Sequence, residues 1–497
     1  MPALLPSPFT HFQSLALAAI FALTPAAPAS AAEVTLTLDD AIHLALERNP
    51  QIKVEAFGRS IARANLLTEW GRFDPAITFR RSYSEDASLA PSNVIIADLI
   101  KTDRYNLAFE GTTPWGLNYS LGGNAQNQRY PQNGYTDSFS TFGGIAVTQP
   151  LLRGFGFSTN LLGVRIARAD RGIAEWQFRQ TAIDIVTNVI TAYSDVAYAQ
   201  QLLRIAQRSR ELVAGLLSEN EKRFAVGSIS ESDVALARAR TASREEFILI
   251  ARQAVRDSVN RLRKLIGETT FPIDPETLSI EPADIPDNTP VNPAADLQKA
   301  FNDRPDYQTA RLGLVKRRAS SSAARNQMLP QVDLVGSYGY SGLDRDFATS
   351  RRMVSDQQNR SYSAGVVLSV PLTFAEGRGR ARSAKLQLRQ SEADLVRLEQ
   401  DIAVSIAAAA GQIDTTRQRV AANRASYELA KQSLDAELKK LRAGTSSTFV
   451  VLNLQGELIG AENSLYHALA DERRAHAIYD RELGRTLTVH QITLGKE

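Results

Sequence analysis

Two very long helical patterns dominate the distribution of hydrophobic and polar residues along this chain. The first spans residues 160–226, contains no proline, and places apolar residues three, four and once seven positions apart. This spacing is typical of a coiled-coil seam, and a helix of that length is about 100 Å long. The seam, which Arg210 interrupts, consists of Ile185, Val189, Ala192, Val196, Ala199, Leu203, Ala206, Val213 and Leu217. A similar run at 379–443 completes the prediction of a bundle of unusually long helices.

The same order of elements occurs twice in the sequence. Each half reads as a helix ended by a proline, then strands, a long helix, a glycine turn and another helix. The matching landmarks share two offsets, 255 residues for Pro50/Pro305 and Pro75/Pro330, and 217 residues for Gly227/Gly444 and Gly267/Gly484. Constant offsets over several landmarks indicate an internal duplication.

The landmarks divide the chain into five expected segments. These are a signal peptide at 1–32, a first repeat at 33–270, a Pro/Asp-rich linker at 271–293, a second repeat at 294–485 and a tail at 486–497. The signal peptide is inferred from an apolar core at 15–23 and from small residues that fit cleavage near Ala31 or Ala32. It departs from the usual pattern because residues 1–32 contain no Lys or Arg.

Strand-like segments precede the long helix in each half, for example at 76–84 and 332–340. Their weak alternation of polar and apolar residues is typical of an outer-membrane β-barrel, although a soluble sheet would show the same pattern. Two strands per half cannot close a barrel around a pore, so several chains would have to share one. The first half has 34 more residues between its matching prolines (Pro75–Pro150 against Pro330–Pro371), which read as an added hairpin around 84–119.

Composition removes several classes of function. The chain has 57 Lys+Arg and 54 Asp+Glu, so its charge does not favour nucleic-acid binding. It has no cysteine, and its five histidines lack ligand spacing, so we expect neither disulfides nor a metal centre. The densest basic cluster, at 377–382, has no interleaved aromatic residues, and we expect it to contact anionic headgroups or solvent. Without a nucleophile elbow or a phosphate loop, no enzymatic activity and no cofactor are expected.

The chain resembles the TolC family, the outer-membrane factors of bacterial drug-efflux pumps and type I secretion systems. The resemblance covers nearly all of the expected mature chain. It is carried by the segments LDDAIHLALERNP at 38–50 and QPLLRGFG at 149–156, and by the duplicated turns RFAVG at 223–227 and KLRAG at 440–444. No single motif is decisive, but their order together with the duplication is specific.

This resemblance implies an α+β membrane protein that forms a homotrimer. Its strands, about four per chain, would build a 12-stranded barrel in outer-membrane lipid, and its helices would continue that barrel through the periplasm. Cargo would pass through the bore, driven by an inner-membrane transporter of the RND, ABC or MFS type that docks through a periplasmic adaptor protein. The added hairpin either extends the barrel or lies outside the membrane as part of a loop, and we expect the second.

The two glycine turns are the candidate docking site for the adaptor. The resemblance assigns the contact to Arg223 and Gly227 in the first half and to Lys440 and Gly444 in the second, with lysine in place of arginine. Ordinary helix-turn chemistry explains the glycines as well, because each would end a helix in the left-handed conformation. Ser230 and Ser447 are the predicted N-caps of the helices that follow.

A second candidate site is the periplasmic aperture, which acidic residues hold closed in the family. Asp233 fits this role, but the matching positions after the second turn are Val450 and Asn453, and Ser446 stands where an arginine partner would be. Asp233 would then give one ring of three carboxylates in a trimer. The alternative is that Asp233 is a helix N-terminal charge, worth about 0.3–1 kcal/mol.

The resulting functional prediction is a passive outer-membrane conduit of a tripartite efflux pump or a type I secretion system, located in the outer membrane and reaching into the periplasm. The alternative is a periplasmic coiled-coil scaffold without a pore.

Overall fold

The computed structural model describes residues 34–89, 97–131, 134–267, 278–280 and 291–495. The expected signal peptide lies outside the described residues, as does most of the linker apart from 278–280 and 291–293. The described elements, in chain order, are β1 (Val34–Leu36), α1 (Leu38–Arg48), α2 (Pro50–Gly71), β2 (Ala76–Leu89), β3 (Ala97–Thr112), β4 (Asn118–Arg129), β5 (Phe139–Pro150), α3 (Phe157–Asn160), α4 (Leu162–Ala225), α5 (Glu231–Leu265), β6 (Leu278–Ile280), α6 (Pro293–Asp303), α7 (Pro305–Asn326), β7 (Gln331–Asp344), α8 (Phe347–Ser355), β8 (Asn359–Ser369), α9 (Ala375–Arg442), α10 (Thr448–Glu482) and α11 (Thr486–Val489).

Both long helices of the prediction are confirmed. The helix α4 has 64 residues and α9 has 68, and each is continuous up to its glycine turn. The α1–α2 break is also the expected one, because Asn49 ends α1 and accepts a hydrogen bond from the backbone N–H of Gln51 while Pro50 occupies the first turn of α2. The Asn49 side chain donates to the carbonyl of Leu265 at 2.7 Å, which fixes this break to the end of α5.

The helices form a layer below the sheet in the order α2, α4, α7, α9. The helix α4 packs against α2 and α7, α9 packs against α7, and α5 and α10 return alongside α4 and α9. The main core lies around the middle of α4, where buried Tyr193 donates a hydrogen bond to the carbonyl of Leu36 at 2.9 Å. There β1 pairs in parallel with β6, so a strand within the expected linker closes over the core. None of the described helices combines the length and the apolarity needed to cross a membrane.

The sheet corrects the expected strand count. Six strands, not about four, form one antiparallel sheet in the order β2-β3-β4-β5-β7-β8 among the described residues. The added hairpin, expected outside the membrane as a loop, instead supplies sheet strands: β3 pairs with β2 from Glu110 to Ala97, and β4 pairs with β5 from Asn118 to Asn127. Backbone groups need hydrogen-bond partners, and the continuous ladders on both sides of the hairpin provide them.

The two faces of the sheet differ in polarity. One face carries large apolar side chains that are exposed in the single chain: Ile77, Phe79, Leu107, Phe109, Leu121, Ile145, Leu334, Tyr338, Tyr362, Val366 and Leu368. The other face is rich in small and polar residues, including Thr78, Arg80, Ser82, Asn106, Ser120, Asn124, Gln126, Ser337, Ser361 and Ser363. The helices α2, α4, α7 and α9 all connect at the same end of the sheet. This polarity is typical of a barrel with lipid outside and water inside.

A row of glycines crosses the polar face at the pairs Gly122–Gly144 and Gly144–Gly339. A Cβ atom on Gly144 would lie 2.4 Å from the carbonyl oxygen of Tyr338, and one on Gly122 would lie 2.2 Å from that of Leu107. Because the backbone of the neighbouring strand closes on this face, only glycine fits in the row.

We predict that Gly144→Ala destabilises the sheet, whereas Gly336→Ala in the adjacent strand does not. A Cβ at Gly336 meets its nearest neighbour at an ordinary 3.7 Å, so the two variants differ in steric overlap and not in the residue introduced. Overpacking of this kind costs about 1–3 kcal/mol. Thermal unfolding of the purified protein in detergent measures the difference. Equal transition temperatures for the two variants would contradict the steric role of the glycine row.

Candidate functional site

The two glycine turns lie side by side at the end of the helices farthest from the sheet. Leu216 of α4 packs against the apolar cluster formed by Leu441 and Val451 at the second turn. The hydroxyl of Thr448 donates to the Asn220 side chain at 3.2 Å, and both residues are buried. The structure therefore brings the two predicted docking turns together into one surface. We call this the tip surface and define it by Arg223, Phe224, Val226, Gly227, Lys440, Gly444 and Phe449.

The two turns have the same backbone geometry. Gly227 has a φ of 75° and Gly444 a φ of 78°, both in the left-handed region that favours glycine. The N–H of Ser228 donates to the Arg223 carbonyl at 2.9 Å, and that of Thr445 donates to the Lys440 carbonyl at 3.0 Å. This six-residue closure is the Schellman motif, and it satisfies a carbonyl group that the helix end would leave unpaired.

The basic residues of the turns are paired within their own helices. Arg223 Nε lies 3.0 Å from Glu219 Oε1, and Lys440 Nζ lies 3.0 Å from Glu437 Oε2. The hydroxyl of Ser446 also donates to Glu437, and this bond, followed by the one from Lys440, holds the pKa of Glu437 below its ordinary value. Exposed pairs of this kind contribute little stability, so both cations can exchange their partners for those of another protein.

Asp233 is part of a capping box at the start of α5. The N–H of Asp233 donates to Ser230 Oγ at 3.3 Å, and the N–H of Ser230 donates to Asp233 Oδ2 at the same distance. The predicted N-cap role of Ser230 is thus confirmed, and Asp233 has a local structural function. Ser447 likewise occupies the predicted N-cap position of α10, but its side chain makes no capping hydrogen bond to that helix.

Val450 and Asn453 are exposed on the first turns of α10. In the described part of the chain, no hydrogen bond or ion pair joins either of them to Asp233, which lies on α5. The three residues assigned to the aperture therefore form no bonded cluster within one chain.

Sequence reasoning missed the apolar part of the tip surface. Val226 is 76 % exposed and Phe449 is 58 % exposed, and Phe224 is also exposed. The available signal was an apolar residue directly beside a glycine turn and outside the seam. Such exposed side chains at a helix end are typical of a protein contact surface.

Ion pairs join the two helical hairpins above the tip. Arg474 of α10 contacts both Asp195 of α4 and Asp471, and Arg419 of α9 lies 3.0 Å from Asp471. Burial raises the pKa of the Asp471 carboxyl, but the hydrogen bond from Arg474 and the charge of His467 outweigh burial and leave that pKa below its ordinary value. The network links the three long helices α4, α9 and α10.

Comparison with known proteins agrees with this geometry. The family model described as "Outer membrane efflux protein" matches residues 41–268 and 297–477. The chain is 24 % identical to the outer membrane efflux protein BepC of Brucella suis over 66 % of this chain and 68 % of that protein. It is 23 % identical to the alkaline protease secretion protein AprF of Pseudomonas aeruginosa over 67 % of each chain.

Solved structures show the same fold. The outer-membrane channel OprN superposes with a TM-score of 0.68 at 20 % identity, and the match covers 90 % of this chain and 89 % of the OprN chain. The outer membrane protein VceC of Vibrio cholerae gives a TM-score of 0.66 at 17 % identity, covering 90 % of this chain and 96 % of its own.

The chain belongs to the outer membrane efflux protein family, and the resemblance to TolC is confirmed. It is an outer-membrane channel component of an efflux or secretion system and extends into the periplasm. This identification decides against a periplasmic scaffold without a pore.

We predict that Ser230→Ala loosens the first turn of α5, whereas Ser447→Ala leaves α10 unchanged. The first variant removes a capping hydrogen bond worth about 1 kcal/mol, and the second removes a serine that caps nothing. Amide hydrogen exchange at Glu231–Val234 and at Thr448–Val451 reports the two turns separately. Equal acceleration in both variants would contradict the difference in capping.

Proposed function

We propose that three copies of this chain form a passive conduit that crosses the outer membrane and continues through the periplasm as a helical barrel. The observation that carries the proposal is that both flanks of the chain are uncovered. The outermost helix α2 exposes Val54, Phe57 and Ile61 along one stripe, and α9 exposes Leu386, Val404 and Leu429. Among the described residues, the outermost strands β2 and β8 each pair with one neighbouring strand.

A ring of copies covers both flanks at once. In a ring, α9 and β8 of one copy would lie beside α2 and β2 of the next, so the apolar stripes would be buried and the open edges paired. An open sheet edge is not tolerated in the hydrocarbon core of a membrane, which makes closure a physical requirement. The family resemblance supports three copies. The proposed five-segment division of the chain also fits this ring, with each repeat supplying one strand group and one helical hairpin.

The tip surface would bind the periplasmic adaptor of the same system. Its two left-handed glycines keep the turns narrow, its exposed apolar residues offer a contact area, and Arg223 and Lys440 flank that area. Binding would open the channel by favouring a conformation in which the helices after the turns move apart. The inner-membrane partner would be a transporter of the RND, ABC or MFS type, since relatives named for protease secretion, pyoverdine export and cobalt-zinc-cadmium resistance do not share one cargo.

We predict that Gly227→Asp and Gly444→Asp each abolish transport while leaving assembly intact. An aspartate there would be strained at positive φ and would place an unpaired charge in the adaptor contact, at a cost of about 3–5 kcal/mol, or more than a hundredfold in affinity. Cargo export in cells and adaptor binding to the purified channel measure the effect.

The matched control is Gly215→Asp. Gly215 lies on an exposed face of α4 with open space around its Cβ position, so the same charge falls outside the tip surface. Full export by the Gly227→Asp and Gly444→Asp variants, with normal amounts in the outer membrane, would contradict docking at the tip surface.

We also propose that Asp233 lines the aperture beside Val450 and Asn453. In a trimer this residue would give three carboxylates at one level, and such a ring attracts cations.

We predict that Asp233→Asn, which keeps the size of the side chain, lowers the cation preference of single channels in planar bilayers. Glu231→Gln removes a charge two residues earlier and serves as the control. An unchanged reversal potential in Asp233→Asn would leave Asp233 with the capping role alone.

A further inference from the structure

The added strand pair β3–β4 changes the size of the barrel that this chain can build. We propose that three copies close an eighteen-stranded barrel, in which β2 of one copy pairs with β8 of the next in one defined register. The proposal rests on the trimer of the proposed function. Because each copy contributes an even number of strands, β2 and β8 run in opposite directions, so every junction between copies is antiparallel like the rest of the sheet.

The stagger of the six strands gives their tilt. Hydrogen-bonded neighbours place Ile77, Phe109, Leu121, Ile145, Tyr338 and Tyr362 in one row across the sheet. At the helix end, Ala76 is one residue from this row on β2, and Ser369 is seven residues from it on β8. Across the junction proposed below, this row continues to Tyr83 of the next copy, so it slips by six residues over six strand steps. At about 3.3 Å per residue and 4.8 Å per step, this slip gives a tilt of about 35°. This value lies within the range of membrane barrels, about 35–45°.

This tilt makes the barrel fit the ring of helices below it. A closed barrel of eighteen strands tilted by about 35° has a radius of about 17 Å, whereas twelve strands at the same tilt give about 11 Å. The helices that meet the sheet are α2, α4, α7 and α9, which makes twelve in three copies. Twelve helices about 10 Å apart form a ring of about 19 Å radius. The radius of the eighteen-stranded barrel is therefore within about 2 Å of the radius of the helical ring, whereas that of a twelve-stranded barrel is about 8 Å smaller.

The register between copies follows from the strand ends and the two faces. If Ala76 of one copy lies opposite Ser369 of the next, apolar residues meet on the lipid side and serines meet on the polar side. The apolar pairs are Ile77 with Leu368, Phe79 with Val366, and Tyr83 with Tyr362. The serine pairs are Ser82 with Ser363 and Ser84 with Ser361.

Charge supports the same register. The proposed register places Glu85 of one copy opposite Arg360 of the next, at the end of the strands away from the helices. In the single chain Glu85 lies 3.6 Å from Lys101 and accepts a hydrogen bond from Tyr83, and the Arg360 guanidinium lies over the ring of Tyr362. Both groups are exposed and can form an additional pair across the junction. A shift of two residues would move Arg360 opposite Ala87 and lose this pair.

The width of the barrel determines where the passage of cargo is limited. A bore that is as wide in the membrane as in the periplasm has no constriction within the barrel wall. Selection by size then falls to the tip of the helices and to the loops at the outer end of the strands.

Engineered cysteines test the register, since the natural chain has none. Phe79→Cys combined with Val366→Cys places two thiols opposite each other across the proposed junction, where cross-strand Cα atoms are about 4.5–5.5 Å apart and within disulfide reach. Oxidation of the purified protein is expected to give covalent dimers and trimers on denaturing gels without reductant. The control, Arg80→Cys with Val366→Cys, puts the thiols on opposite faces and is expected to stay monomeric.

A second disulfide tests whether β3 and β4 belong to the wall. A twelve-stranded barrel would require β2 to pair with β5, so β4 would have to leave β5. Ser120 and Ala146 are register partners on β4 and β5, and a disulfide between cysteines at these positions prevents that separation. We expect the locked protein to form trimers with the same single-channel conductance as its reduced form.

Two results would overturn the proposal while leaving the proposed function intact. One is a conducting trimer in which Phe79→Cys and Val366→Cys do not cross-link. The other is a lock between β4 and β5 that abolishes conductance until it is reduced. By contrast, an unmodified protein that forms neither trimers nor channels would overturn the proposed function itself.

Discussion

Backbone groups that lack hydrogen-bond partners cost several kcal/mol each in a lipid environment, and this cost determines the architecture of the chain. A six-stranded sheet leaves one side of β2 and one side of β8 without a partner from the same chain. In the helical layer, the exposed apolar stripes on α2 and α9 likewise have no covering partner from the same chain among the described residues. In the proposed ring the next copy would cover both the open strand edges and the exposed helix stripes, so folding of the membrane part and assembly are expected to be coupled.

The periplasmic part is held together differently. Alanines along α4 allow close helix packing, and ion pairs such as Arg474 with Asp195 and Asp471 join neighbouring helices at intermediate depth. Arg304 adds a similar connection, since its guanidinium lies 2.8 Å from Glu482 and 2.7 Å from Asp306. These contacts are local to one chain. The helical hairpins can therefore keep their internal packing while they shift relative to those of another copy.

The sequence was informative where one physical signal dominated. The seam of α4 predicted a single helix to within two residues at its start and one at its end, because a 3.6-residue periodicity without proline has few alternatives. The added hairpin was misplaced because alternation within strands does not reveal which strands are neighbours. Pairing between β4 and β5 involves a polar and a Gly-rich segment, such as Gly122 opposite Gly144, and these residues carry no hydrophobic signal. The site was predicted only through its glycines and charges, and the one local sign of its apolar part was the position of Val226 directly beside Gly227.

The capping difference between the two turns has a mechanical consequence. The helix after Gly227 begins with a closed capping box, whereas the helix after Gly444 begins without a side-chain cap. Around the proposed ring of three copies, hairpin ends with and without a side-chain cap would alternate, so the rim of six hairpin ends would have threefold symmetry. A load applied evenly to that rim would strain the uncapped hairpins first, and the channel would widen through those three before the others yield.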